Sequence, residues 1–268
     1  AGFEVSSTDA VLAPRSEWRF ERPLRLGLTV YSDGSISTAL EIARQWRQDH
    51  PDAPIVWGGP HAQMVPEQTA AHPLVDAACC DEGEGPIVEI ARQLSTGRWD
   101  PASIPGLAYK APDGSVRRTR PATPIDLDTL PDSPYHLLKL DRYFISSQKC
   151  YYQSSRGCPF SCTFCCDIQQ RRWRPRSAPT VLRQIAQLVE GFGSREIYFT
   201  DANFFVDLKR ADAICRGLIE RKLGTRWSAF CRADTVMRMT DDFLSLLARA
   251  GCCQLDIGGE SGSDQVLA

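Results

Sequence analysis

Three cysteines, Cys158, Cys162 and Cys165, stand at C-x3-C-x2-C spacing in the run 155–165, Ser-Arg-Gly-Cys-Pro-Phe-Ser-Cys-Thr-Phe-Cys. Thiolates gathered on one loop in this way are suited to hold a metal centre, and two chemistries compete for them. A structural zinc site needs four ligands, usually as cysteine or histidine pairs. The chain has 4 histidines, none of them near this loop. A [4Fe-4S] cluster held by three cysteines instead leaves one iron open to a further ligand. The spacing favours the cluster, with a zinc loop or unrelated buried thiols as the alternatives. Cys166 falls outside the spacing and reads as a bystander. The total of 11 cysteines is odd, which argues against a disulfide framework and for thiols that ligate or pack as small hydrophobes. Cys79-Cys80 and Cys252-Cys253 fit the packing use.

The loop has to be carried by rigid elements. After residue 150, strand and helix signals alternate. Helical faces are expected at Val181, Leu182, Ile185, Leu188 and Val189, then at Leu208, Ala211, Cys215 and Leu218. A last helix, capped by Thr240, is expected to bury Phe243, Leu244, Leu247 and Ala250. Strands are expected over 196–200, 226–231 and 254–257. This alternation belongs to a (β/α) barrel, whose reactive groups sit at the carboxyl ends of its strands. Four strands do not close a barrel, so the chain is expected to stop part-way through this domain, as a fragment or an unusual open half-barrel.

Upstream, strands over 25–31, 55–57 and 75–79 surround a helix that carries Ile36, Leu40, Ala43 and Trp46 or Arg47 on one face and ends at 49–51. That is an α/β, Rossmann-like unit with a parallel sheet. Residues 2–6 also read as a strand with no complete unit before it, so the first domain is expected to begin truncated. The proline-rich stretch after residue 95, with its Pro112-Asp113-Gly114 turn, reads as a connector holding a small hairpin. The expected division is 1–98 for the first domain, 99–148 for the connector and 149–268 for a partial barrel.

C-x3-C-x-aromatic-C directly after a barrel strand resembles the signature of the radical S-adenosylmethionine superfamily. There the open iron chelates the amino and carboxylate groups of S-adenosylmethionine, and an electron from the cluster cleaves it to a 5′-deoxyadenosyl radical. The resemblance implies that Phe164 lies against the adenine and that Asp201 and Asn203 contact the polar end of S-adenosylmethionine. The segment 199–205 is similar to one in the cobalamin-binding branch, where two adjacent aspartates precede the asparagine; here the second is Ala202. A strand end that merely caps the next helix is the plainer reading of Asp201 and Asn203. Arg232 could pair with the carboxylate of S-adenosylmethionine or form a salt bridge with Asp234. Glu260 and Ser261 resemble the fourth strand end of the family, near the ribose or methionine, although Ser261 or Ser263 could simply cap a helix.

The first domain resembles the cobalamin-binding module of the same branch. The segments that carry this are the turn 31–34, the run Trp57-Gly58-Gly59-Pro60-His61-Ala62 and the run Asp81-Glu82-Gly83-Glu84-Gly85. They imply Ser32, Gly58, Gly59, Pro60, His61, Gly83 and Glu84 as cobalamin contacts. Glycine turns after parallel strands occur in any doubly wound fold, and a domain that keeps the fold without the ligand is the alternative. No Asp-x-His-x-x-Gly occurs, so a histidine ligand to cobalt of the usual kind is not expected.

The resemblance implies a [4Fe-4S] cluster, S-adenosylmethionine and cobalamin as cofactors, a small-molecule substrate, and an electron donor such as flavodoxin or ferredoxin. The implied reaction is methyl transfer to an unactivated carbon, with cyclisation or rearrangement as the alternative within the family. An inactive fragment or a non-enzymatic iron-sulfur protein is the alternative outside it. No catalytic group is assigned beyond the cluster ligands. With 31 Lys and Arg against 33 Asp and Glu, the chain lacks the basic excess of non-specific nucleic-acid binders. No apolar run approaches the length of a membrane helix, and a cytoplasmic location is expected.

Overall fold

The computed structural model describes residues 4–10, 23–138, 149–165 and 172–267. They form two compact units divided between Pro124 and Ile125. In the first unit, strands β1 (Leu26–Thr29), β2 (Ile55–Gly58) and β3 (Ala77–Cys79) pair in parallel. Two antiparallel strands, β4 (Leu107–Lys110) and β5 (Val116–Arg118), extend the sheet in the order β1-β2-β3-β4-β5. β2 and β3 are buried along most of their length, as the strands of a covered parallel sheet must be. The helix Ser35–Asp49 buries Ala39, Ala43 and Trp46, whose spacing of three and four residues makes one apolar stripe. Ile36 and Leu40 pack at its margin.

The expected hairpin is therefore present, but as the continuation of the first sheet. Ala77 to Cys79 pair with Tyr109 to Leu107, and Leu107 and Ala108 are fully buried. The stretch expected as a connector is divided: its part up to Pro124 packs with the first unit, and Ile125 onward with the second. Residues 139–148 lie outside the described set. Of the strand expected over 2–6, residues 4–6 are not in a strand, and 1–3 lie outside the described residues.

In the second unit, β6 (Lys149–Tyr152) is followed by a short ribbon, β7 (Ser155–Arg156) with β8 (Arg174–Pro175). Next come β9 (Glu196–Phe199), β10 (Arg226–Arg232) and β11 (Cys252–Gly258). The main sheet runs β11-β10-β9-β6, and every pairing in it is parallel. The helices Ala178–Ala186, Leu208–Glu220 and Asp241–Arg249 cover one face. Alternation along the strands sends Cys150, Tyr152, Ile197, Phe199, Trp227, Ala229 and Cys231 into that core. Gly217 sets the distance between the first two helices, since a Cβ there would lie 2.1 Å from Leu182 Cδ1.

The parallel order is that of an opening barrel, and two packing details differ from expectation. Leu246 is buried with Leu247 while Leu244 stays 38% exposed, because the Asp241–Arg249 helix is rotated so that adjacent leucines face inward. Cys79 and Cys80 are buried, whereas Cys253 is exposed and Cys252 only partly covered, because β11 is the edge strand of its sheet.

Candidate functional site

The cysteine loop leaves the carboxyl end of β6 and is pinched at its base by the β7/β8 ribbon, where Ser155 pairs with Pro175 and Arg156 with Arg174. Gly157 makes this closure possible. Its φ is +76°, and a Cβ would stand 2.0 Å from the Arg172 carbonyl oxygen, so no other L-residue fits without moving the opposite limb. Cys158 and Cys162 are partly exposed and Cys165 is exposed. The Cys165 amide donates to the Cys162 carbonyl at 3.1 Å, closing a turn between the two. Among the described residues no three His, Cys, Asp or Glu side chains gather round one ion-sized point. Three thiolates that each take a different iron do not need to. Cys166 lies outside the described residues.

Asp201 follows β9 at its carboxyl end. It is fully buried, and its carboxylate accepts from the Ser154 amide at 3.1 Å, from Ser154 Oγ at 2.9 Å and from Ser155 Oγ. Those donors are the residues that lead from β6 into the cysteine loop, so Asp201 holds the loop's entrance. Arg210, 8% exposed, completes the cluster by donating through Nη2 to the Ser154 carbonyl and Oγ, both at 2.8 Å. Burial pushes the Asp201 carboxyl up, against the pull of Ser155, Ser154 and Arg210, and burial likewise lowers Arg210. Ser154, Ser155, Gly157 and Arg210 were not singled out from sequence. The available signal was an acidic residue ending one parallel strand beside a Ser-Ser pair ending its neighbour.

Asn203 is 1% exposed. Its Oδ1 accepts from the Phe205 amide at 3.1 Å, while Nδ2 is buried with no hydrogen-bond partner among the described residues. A buried amide donor left in this state is costly in an isolated chain and suits a ligand acceptor. Phe164 is 67% exposed, which leaves most of its ring surface open.

Arg232 closes β10 and forms the salt bridge that was one of its two readings: Nε and Nη2 donate to Asp234 Oδ1 and Oδ2 at 3.0 and 3.1 Å. Its Nη1 donates to Cys162 Sγ at 3.2 Å, and the guanidinium lies 3.9 Å from the Phe160 ring centroid. The Asp234 carboxylate raises the Arg232 pKa, and the arginine lowers that of Asp234. Glu260 is exposed, with φ at +56°, and its Oε1 would lie 2.4 Å from a Cβ at Gly258. Ser261 Oγ accepts from the Ser263 amide at 3.1 Å, just before the short helix Asp264–Leu267. Thus Asn203, Arg232, Glu260 and Ser261 follow or end three consecutive parallel strands on the rim that carries the cysteine loop.

The first unit gathers its expected residues in the same way. Ser32 follows β1, Gly58 ends β2 and Gly59 to His61 follow it, and Gly83 and Glu84 follow β3, all at the carboxyl edge of parallel strands. Ser32 Oγ and His61 Nδ1 are 3.0 Å apart, and Gln63 Nε2 donates to the Asp81 carbonyl at 3.0 Å, tying the second loop to the third. Gly59 has φ +84°, and a Cβ would come within 2.9 Å of Thr29 Cγ2 and 3.0 Å of the Val30 nitrogen. Pro60 opens the short helix Pro60–Met64. Trp57 Nε1 is buried with no hydrogen-bond partner among the described residues. The rim is rich in glycine, which lets a ligand approach its backbone closely.

Residues 1–91 match the B12 binding domain and residues 152–268 the Radical SAM superfamily. The chain belongs to the cobalamin-binding branch of the radical S-adenosylmethionine superfamily, whose cofactors are a [4Fe-4S] cluster, S-adenosylmethionine and cobalamin. It is 32% identical over 247 residues to an uncharacterised methyltransferase of Pyrococcus horikoshii, covering 90% of this chain and 52% of that protein. It is 30% identical over 237 residues to an anaerobic magnesium-protoporphyrin IX monomethyl ester cyclase of Rubrivivax gelatinosus, covering 85% and 42%. The cobalamin-dependent S-adenosylmethionine radical enzyme OxsB, with aqua-cobalamin and S-adenosylmethionine bound, superposes with a TM-score of 0.77 at 26% identity, over 92% of this chain and 37% of that one. The chain spans about half the length of the curated relatives it matches. Among the described residues no helix is long and apolar enough to cross a membrane.

Proposed function

We propose that these residues are the cofactor-binding part of an enzyme that transfers a methyl group to an unactivated carbon of a small molecule. The observation that carries this reading is the pinched cysteine loop, fixed by Asp201 on the carboxyl rim of a parallel sheet. When bound, the cluster supplies the electron that cleaves S-adenosylmethionine to a carbon radical, and cobalamin supplies the methyl group.

The protein's own part is to hold and orient. Cys158, Cys162 and Cys165 would hold the cluster by three of its irons and leave the fourth for the amino acid end of S-adenosylmethionine. The exposed ring of Phe164 offers a face to the adenine, and Asn203 Nδ2 offers a buried donor. Glu260 and Ser261 serve the ribose or methionine. Ser32, Gly58, Gly59, Pro60, His61, Gly83 and Glu84 hold cobalamin. A purely relaying iron-sulfur protein would want four cysteine ligands. The reductant is a low-potential carrier such as flavodoxin or ferredoxin, and the reducing cytoplasm suits exposed thiols.

The test is anaerobic iron-sulfur reconstitution with cobalamin, followed by absorbance and electron paramagnetic resonance spectra with and without S-adenosylmethionine. A cluster signal that shifts on adding S-adenosylmethionine, is lost in Cys162→Ala and is accompanied by bound cobalamin supports the proposal. Zinc or no metal in the loop overturns it. The relative named as a cyclase favours a second reading, ring closure. In the active protein, methyl-labelled S-adenosylmethionine separates the two, since only methyl transfer carries the label into product.

A further inference from the structure

We propose that Arg232 tunes the reduction potential of the cluster through its hydrogen bond to the Cys162 sulfur, and is not a clamp for the carboxylate of S-adenosylmethionine. The proposal rests on the assignment of Cys158, Cys162 and Cys165 as cluster ligands.

The argument starts from how the guanidinium spends its donors. A carboxylate clamp needs two parallel N–H groups, and the pair formed by Nε and Nη2 is already engaged by Asp234 at 3.0 and 3.1 Å. The remaining terminal nitrogen, Nη1, reaches Cys162 Sγ at 3.2 Å. The Phe160 ring, centred 3.9 Å from the guanidinium carbon, covers one face of the cation and helps hold it against the cysteine loop. Asp234 fixes the orientation and balances most of the charge, so what Cys162 meets is a directed N–H donor. Phe160 and Cys162 belong to the cysteine loop, and Arg232 and Asp234 to the end of β10 and the turn after it. The contact is therefore also a strut between the two.

The chemistry follows from where the electron density goes. One-electron reduction of the cluster increases the negative charge on its thiolate sulfurs. A donor aimed at one of them stabilises the reduced form more than the oxidised form and raises the potential, since hydrogen bonds to the sulfurs are among the protein's main levers on it.

The experiment is a potentiometric titration of the anaerobically reconstituted 268-residue chain, read by electron paramagnetic resonance, together with S-adenosylmethionine affinity. Arg232→Gln should shift the reduction equilibrium about tenfold toward the oxidised cluster, which is about 59 mV for one electron. Arg232→Lys, which keeps charge but not the fork, should shift it the same way by less. Arg238, whose side chain bonds to the Asp234 carbonyl and Thr235 Oγ1, is the control for charge alone, and Arg238→Gln should move the potential by less than a third as much. S-adenosylmethionine affinity of Arg232→Gln should change by less than about threefold. An unchanged potential in both Arg232 variants, or an equal shift in Arg238→Gln, overturns the proposal. So does a tenfold loss of S-adenosylmethionine affinity at constant potential, which returns Arg232 to the clamp. If neither Arg232 variant loads a cluster, the residue serves assembly and tuning is refuted. A wild-type chain that binds no iron removes the cluster assignment itself, a different result from any of these.

Discussion

Replacing Gly157 by alanine tests the claim that the cysteine loop is shaped by the pinch at its base. The added Cβ would lie 2.0 Å from the Arg172 carbonyl oxygen and 2.7 Å from its carbon. An ordinary contact begins near 3.4 Å, so the opposite limb has to withdraw by about 1.4 Å. Left-handed backbone at φ +76° costs a non-glycine residue roughly 1–2 kcal/mol. Parting the ribbon forfeits its hydrogen bonds at about 0.5–1.5 kcal/mol each. The left-handed strain and the clash with Arg172 together outweigh what a two-residue ribbon returns, so the ribbon should open and the unit should stay folded. Iron and sulfide per chain after anaerobic reconstitution, measured beside the melting temperature of the apoprotein, separates the two effects. Gly157→Ala should retain less than half the wild-type iron with a melting point lower by only a few degrees. A variant that holds full iron and shifts its spectrum normally with S-adenosylmethionine would refute the reasoning.

Asp201→Asn keeps the size of the side chain but turns an amide toward donors, and with hydrogen bonds to a charged acceptor worth about 1.5–3 kcal/mol each it should destabilise the chain by ~2–4 kcal/mol in urea and reduce iron loading; wild-type loading and stability would exclude the anchoring role. Gly59→Ala should weaken cobalamin binding about tenfold, the ~1.4 kcal/mol expected from left-handed strain and a Cβ pressed on Thr29 and Val30, while iron loading stays unchanged; equilibrium dialysis reads both. Tyr198, whose hydroxyl donates to Asp256 Oδ2 at 2.7 Å, is pushed up to about 12, chiefly by burial. Its raised folded pKa means that its contribution to stability is present below the unfolded value near 10 and lost as the pH rises through about 12. Burial also pushes Tyr152 up, so ultraviolet titration of the phenolates should show more than one late-ionising tyrosine, and Tyr198→Phe should remove one of them while the others stay.

The parallel core was legible because its signals are local. Strands separated by helices with apolar stripes announce themselves by periodicity, as at Leu208, Ala211, Cys215 and Leu218, and Thr240 caps its helix as expected, accepting from the Phe243 amide. The cysteine spacing likewise needed no tertiary information. The errors fall where packing decides between similar neighbours. Leu244 and Leu246 differ only in a helix's rotation, Cys253 is exposed because its strand is an edge, and the hairpin at 107–118 joins a sheet because Ala77 to Cys79 offered it an open edge. The hydrogen bonds of Asp201 to Ser154 and Ser155 were not foreseen, because these partners lie 47 and 46 residues away. No local pattern encodes a contact of that range.

The Asp201 anchor also bears on timing. A carboxylate and a guanidinium are buried together only after β9 has paired with β6 and the Leu208–Glu220 helix has closed over both, since either charge alone in the core is strongly unfavourable. The order expected from loop-closure cost is thus local helices first, the β6–β9 pairing next, and the entrance to the cysteine loop last. Iron should then enter a chain whose sheet already stands, which makes cluster insertion a maturation step that follows folding. Hydrogen-exchange pulse labelling of the refolding apoprotein would expose the sequence of events: protection at the amides of β9 and β10 should precede protection at the Ser154 amide, and the reverse order would exclude it.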